Sequence, residues 1–165
     1  VTGAPDAPLS AIDDTVVVEY GQFCLQDLAR LHGAAEAPVP AGDWLLVGGR
    51  GGVLFRSAES DHYPAVRVEL WADRPPMHDE PFDATGDSTF SMDGTELQLW
   101  SITAATGCHT LRVPAANTYH VRAHVSGRAD IEAVEANDPA SFAEGVERWL
   151  IQIWPAWHGS AVVPQ

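Results

Sequence analysis

The chain has 165 residues, with 23 acidic side chains against nine arginines and no lysine, a formal net charge of −14 at pH 7, and 45% hydrophobic residues. That size suits a single domain with one core that needs no disulfide or metal, and so acidic a field repels phosphate backbones and anionic headgroups, excluding nucleic acid and membrane surfaces as direct partners. No apolar run approaches the roughly 18 residues that span a bilayer, and the start VTGAPDAPLSAIDD has neither a basic nor a continuous apolar region, so cytoplasmic residence is the expectation.

Residues 1–14 lack periodicity and read as a flexible lead into one domain over 15–157, with 158–165 as a tail. The first predicted strand is Thr15–Gln26, where Val16, Val18 and Tyr20 share a face and a bulge at Gly21 would bring Phe23 and Leu25 onto it. Leu28–Leu31 closes as a helical turn ending at Gly33, the loop AAEAPVPAGD follows, and Trp44–Val47 is a short strand. GGRGG at Gly48–Gly52 lies between WLLV and VLFR and reads as a hairpin turn. A phosphate-cradling loop would need a helix after the glycines and usually Lys with Ser or Thr, none of which follows.

Ala65–Ala72 alternates Val66, Val68 and Leu70 with Arg67, Glu69 and Trp71. From Asp73 to Asp93 the chain is polar, acidic and broken by prolines, with a brief strand at Thr89–Met92. Glu96–Thr103 sets Leu97, Leu99 and Ser101 against Gln98, Trp100 and Ile102, and Thr110–Val113 leads into a PAAN turn. Tyr119–Ser126 places Tyr119, Val121, Ala123 and Val125 inward, with His120, Arg122, His124 and Ser126 outward. Asp138 and Pro139 read as the cap and first position of a short helix through Ala143. In the last strand, Glu147–Pro155, Trp149, Ile151 and Ile153 form an apolar face opposite Arg148, Leu150, Gln152 and Trp154, and Val162 and Val163 offer a further edge strand. Many short strands between turn signals, with one or two helical turns, predict an all-β fold, an antiparallel β-sandwich.

Motifs for chemistry are sparse. Cys24 and Cys108 form no CxxC or zinc spacing and read as small buried hydrophobes, with pairing between them left to their separation in space. His120 and His124 are four apart on a strand, about 13 Å along its axis, too far to share a metal ion that needs ligands at about 2 Å. Gly86–Ser88 matches three letters of the GDSL-type hydrolases and reads as a turn, no GxSxG occurs, and neither cysteine has a nucleophile's local signature. Asp79, Glu80, Asp83 and Asp87 crowd one loop without EF-hand spacing, which suits either a solvated acidic loop or carboxylates offered to Arg or Lys of a partner. No cofactor or metal is expected.

The stronger signal is aromatic. Trp71, Trp100 and Trp154 each alternate with the core positions of their strands; if those strands share a sheet, the indoles share an outward face with Arg122 and Gln152. Covering loops would instead turn that face into a second small core. The candidate binding residues are therefore Trp71, Trp100, Arg122, Gln152 and Trp154, together with Asp79, Glu80 and Asp83 of the acidic loop.

The opening VVVEYGQFCL resembles the first strand of the competence protein J family, small β proteins with a V-x-Y-x-Q-F start, matched here at Tyr20, Gln22 and Phe23. The later order, with a Tyr-led strand at Tyr119 and an apolar last strand, is similar as well. Members of that family inhibit a nuclease, so the resemblance implies a protein that binds and blocks a basic enzyme. The expected function is accordingly a non-enzymatic acidic inhibitor or immunity-like partner of a basic protein, the runner-up being a small-ligand or carbohydrate binder that stacks on the tryptophans.

Overall fold

The computed structural model describes residues 6–34, 36–115 and 117–156. The C-terminal tail and the edge strand expected at Val162 and Val163 lie outside them. Ten strands and one helix follow in chain order: β1 Ser10–Thr15, β2 Gln22–Asp27, β3 Leu46–Gly49, β4 Gly52–Arg56, β5 Tyr63–Leu70, β6 Ala84–Ser91, β7 Glu96–Ser101, β8 Thr106–Arg112, β9 Thr118–Ser126, α1 Arg128–Asn137 and β10 Glu144–Pro155. They build two five-stranded sheets, β1-β5-β10-β9-β6 (the first sheet) and β3-β4-β2-β7-β8 (the second). Every ladder is antiparallel except β5 with β10, where the last strand enters the centre of the first sheet parallel to β5. The all-β sandwich expectation holds.

The core lies between the sheets. Val66, Val68 and Leu70 of β5, Trp149, Ile151 and Ile153 of β10, and Tyr119, Val121, Ala123 and Val125 of β9 meet Phe23, Leu25, Val53, Phe55, Leu97 and Leu99 of the second sheet. Phe23 stacks on Phe55 with centroids 5.1 Å apart, and both present themselves to Trp149 edge-on, at 5.2 and 5.6 Å.

The four edge strands meet at two seams, β3 against β6 and β1 against β8, which removes sites for unwanted strand pairing. At one seam β3 lies against β6, so close that a Cβ on Gly48 would fall 1.8 Å from the Thr89 carbonyl oxygen; only glycine fits there, which accounts for part of the GGRGG run. At the other seam the Asp14 carboxylate, next to the end of β1, accepts the His109 backbone N–H of β8 at 2.7 Å.

Several local expectations are corrected. The segment read as a lead contains β1, paired with β5 from Ser10↔Leu70 to Thr15↔Ala65. The strand expected over Thr15–Gln26 is broken: Val16 and Val18 stay buried while the chain passes from one sheet to the other, and Tyr20 (φ 55) and Gly21 (φ 69) form a two-residue turn between Glu19 and Gln22. Tyr20 is therefore 79% exposed instead of in the core. Gly86–Ser88 is mid-strand in β6, where the Ser88 hydroxyl accepts the Gly48 N–H at 3.1 Å.

The helix expected from Asp138 instead ends there. α1 begins after Gly127 (φ 80), and its first N–H, on Arg128, is taken by the Asp83 carboxylate at 2.9 Å. That cap comes from a distant segment, so local spacing could not reveal it. Leu28–Leu31 makes successive tight turns in place of a helical one. Cys24 and Cys108 are both free, and Cys108 is exposed. Strand β7 separates their strands, which puts them about 9–10 Å apart, beyond the reach of a disulfide.

Candidate functional site

The outer face of the first sheet carries a polar row that runs straight across four strands. Glu69 is opposite Gln152, Gln152 opposite Arg122, and Arg122 opposite Asp87. Alternation on β5, β9, β10 and β6 sends these residues away from the core. The sequence of side chains across the sheet is acid, amide, base, acid, so each neighbour can bond the next.

The row is buried. Arg122 is 2% exposed, Gln152 0% and Glu69 8%. Glu69 gathers donors from three directions: Arg67 Nε at 2.9 Å, Trp71 Nε1 at 2.8 Å and Gln152 Nε2 at 3.1 Å. Burial alone would raise its carboxyl, but the bonds from Arg67, Gln152 and Trp71 outweigh burial and hold it below the ordinary carboxylate value. Arg122 donates Nε to Asp87 at 3.0 Å and lays its guanidinium 5.5 Å from the ring centre of Trp154, while its Nη1 has no hydrogen-bond partner among the described residues. The indole face thus replaces part of the solvation this buried cation has lost.

Residues 72–82 lie over this row as a strap. His78 Nε2 is 3.2 Å from Gln152 Nε2, and the Phe82 ring stacks on His124 with centroids 4.4 Å apart. His124 also meets His78 edge-on and bonds the Thr85 hydroxyl through Nδ1 at 2.9 Å. Burial lowers the pKa of the His124 imidazole, as do the neighbouring His78 and Arg122. Pro75, Pro76 and Pro81 punctuate the strap.

Of the sequence candidates, Trp71, Arg122, Gln152 and Trp154 therefore belong to one layer, but a covered one: Trp71 is 5% exposed and Trp154 7%. Trp100 is elsewhere, on the outer face of the second sheet, half-buried against Cys24, Ala34 and Leu54. The shared outward tryptophan face is thus overturned, because β7 belongs to the other sheet and the strap covers the rest. Asp79 and Glu80 are exposed on the strap, and no ion pair among the described residues engages either. Asp83 is exposed too, yet its carboxylate caps α1. Sequence reading passed over His78 and Phe82, and it weighed His124 only as an outward residue and a metal ligand; Glu69 left a signal, as the single acid between Arg67 and Trp71 on one strand face.

A second buried polar cluster joins Ser57, His62 and Glu147 near the other end of β10. Ser57 Oγ is 2.7 Å from Glu147 Oε1 and 2.8 Å from His62 Nε2. The carboxylate can only accept, so the single hydroxyl proton goes to Glu147 and His62 Nε2 donates to the serine oxygen. A serine bonded this way is not activated for attack, since its base would have to be an acceptor. Trp149 Nε1 at 2.6 Å and the Ala58 N–H at 3.0 Å complete the Glu147 shell. Burial lowers the His62 pKa against the opposing field of Glu147. Among the described residues no group of three or more His, Cys, Asp or Glu side chains is placed to hold a metal ion, and no helix is long and apolar enough to cross a membrane.

No protein-family model matches the chain, and no curated protein matches it either. Two solved structures share its fold. One is ComJ from Bacillus subtilis, described as the inhibitor of the DNA-degrading activity of NucA, at 10% identity and a TM-score of 0.53 over 89% of this chain and 96% of that one. The other is described as crocagin biosynthetic gene J, at 15% identity and a TM-score of 0.58 over 90% of this chain and all of that one (100%). The resemblance at Tyr20, Gln22 and Phe23 thus agrees with the three-dimensional likeness, which at these identities is a likeness of fold.

Proposed function

We propose that this chain is a protein-binding domain that docks a basic partner on the outer surface of the 72–82 strap and blocks it, as an inhibitor does. The observation that carries this reading is the composition of the strap: Met77, 67% exposed, lies among the exposed carboxylates Asp73, Asp79 and Glu80, which outnumber the one exposed base there, Arg74. An apolar anchor within a charged rim is the anatomy of a docking surface. The strap is held from beneath by His78, Phe82 and the buried polar row, so little ordering entropy remains to be lost on binding. A net charge of −14 favours encounter with a basic surface. The ComJ description, inhibitor of a DNA-degrading activity, supports a nuclease as the kind of basic partner. The carbohydrate reading loses two of its three platforms, because Trp71 and Trp154 are covered.

The test is affinity capture from a lysate of the source cells at about 50 and about 300 mM salt, which screen surface charge differently. Wild type should retain a basic protein at the lower salt and release it at the higher. The Asp79→Arg/Glu80→Arg variant should retain none, and the captured protein should degrade DNA only when freed. Equal capture by wild type and variant, or capture indifferent to salt, would sink the proposal.

A further inference from the structure

A groove of about 500 Å³ opens where β3 begins, β4 ends and α1 starts, lined among others by Asp43, Trp44, Arg56, Ser57, Arg128 and Glu132. Its volume falls within the range of small-molecule sites. Two of the chain's nine arginines line it, on a molecule whose net charge is −14. Neither is well neutralised. Arg56 meets Asp43 only at 3.6 Å, and that carboxylate is fully solvated. Arg128 Nη1 is 3.9 Å from Glu147 Oε2, whose carboxylate already accepts from Ser57, Ala58 and Trp149. Elsewhere in the molecule Arg67 and Arg122 hold their carboxylates at 2.7 to 3.0 Å.

Both cations are nonetheless positioned. Arg128 Nη1 donates to the Arg56 carbonyl at 3.2 Å, and the Arg56 guanidinium lies 6.0 Å from the centre of the Trp44 ring. The Ser57 hydroxyl is committed to Glu147 and His62, so it offers neither cation an acceptor. A flat apolar wall, two forked donors and nearby Leu45 and Ala84 make a site for an anion attached to a planar body. Asp43 and Glu132 on the rim would repel a dianion, which selects a carboxylate over a phosphate.

We propose that this groove binds a small planar carboxylate, its carboxylate held between Arg56 and Arg128 and its body against Trp44. The site is separate from the strap's docking residues Asp79 and Glu80, so it stands or falls independently of the protein-binding role. The experiment titrates the full chain with 2-naphthoate, with the uncharged 2-naphthalenemethanol and with inorganic phosphate. The readout is the indole N–H resonance of Trp44, assigned by its loss in Trp44→Phe. Naphthoate should shift that resonance saturably, and Arg56→Gln and Arg128→Gln should each weaken binding about tenfold. The alcohol and phosphate should bind at least tenfold more weakly than naphthoate. Arg128→Gln disturbs the first residue of α1, so Arg56→Gln, with a half-exposed side chain, is the decisive variant. Absence of a saturable shift, an undiminished affinity in Arg56→Gln, or equal binding of the alcohol or of phosphate would overturn the assignment.

Discussion

The two outer faces of the sandwich are covered in opposite ways. Over the first sheet, the strap 72–82 rests on charged and polar groups: Glu69, Gln152, Arg122 and His124. Over the second, residues 28–34 and 36–44 lie against Cys24 and Leu54, with Trp44, Val47, Trp100 and Ile102 at the margin. Each face has a buried glutamine at its centre. Gln152 bonds side chains, Glu69 and His78, whereas Gln26 bonds the backbone of its covering segment, accepting the Ala34 N–H at 3.3 Å and donating to the Arg30 and Gly51 carbonyls. An apolar cover tolerates small shifts, but a polar one favours a single register, because its hydrogen bonds form only there. The first face therefore fixes the strap's position through side chains, which a docking surface needs, and the second adds buried area to the backbone bonds of Gln26.

That contrast makes Glu69 the side chain whose loss should cost most. Glu69→Ala strands the Trp71 indole N–H and the Gln152 amide in a covered layer, and should destabilise the fold by about 3 kcal/mol in urea unfolding. The matching change on the other face, Leu54→Ala, removes apolar volume beneath a cover that can partly collapse, and should cost about 2 kcal/mol. The exposed-charge variant Asp79→Arg/Glu80→Arg should leave stability within about 0.5 kcal/mol of wild type. If Leu54→Ala proves clearly worse than Glu69→Ala, the polar row is not what holds the first face together.

Acid should separate the faces next. Burial lowers the His124 pKa below the ordinary histidine value of 6.5, and His62 is lowered in the same sense. A group whose folded pKa is depressed gains more protons in the unfolded chain. Its contribution is complete above 6.5 and is lost as pH falls from there through the folded value. Glu69, held below the ordinary 4.5, keeps its contribution down to that pH and loses it only beneath. Stability should thus decline in two stages on acidification. His124→Gln should reduce the first stage without abolishing it, because His62 remains, and Glu69→Gln should reduce the second. Thermal midpoints across pH 3 to about 8 check both, and an unchanged first stage in His124→Gln would show that protonation at the strap is not what the fold resists.

How much of this could be read from the residues divides along the same line. The inner faces were legible wherever alternation was strict: Tyr119, Val121, Ala123 and Val125 are all buried, as are Trp149, Ile151 and Ile153. GGRGG as a hairpin was legible because its flanks are strands of matching length, paired from Leu46↔Phe55 to Gly49↔Gly52. The outer faces were not, since an outward position is exposed only if nothing lies over it, and the cover of each sheet comes from a segment without periodicity. Arg122 illustrates the point: its place opposite Gln152 follows from alternation once strand order is known, but its burial depends on the strap and on Trp154. The same non-locality hid α1, capped by Asp83 from across the fold, and split the three tryptophans between two sheets.

The smallest effect reads the covers one at a time. Burial pushes the Cys24 thiol up to about 12, whereas Cys108 is exposed on β8. Thiolate is the reactive species, so at pH 8 a thiol reagent should label one cysteine per chain, Cys108, and leave Cys24 untouched until its cover opens. In a Cys108→Ser background the slow labelling of Cys24 then reports opening of the second face alone. Leu54→Ala, packed in the same cluster as Cys24, should speed that labelling several-fold, while Phe82→Ala, which loosens the strap on the opposite sheet, should leave it unchanged. Equal acceleration by both variants would mean that the two covers open together as one cooperative unit, and the polar and apolar faces would then differ in chemistry without differing in local stability.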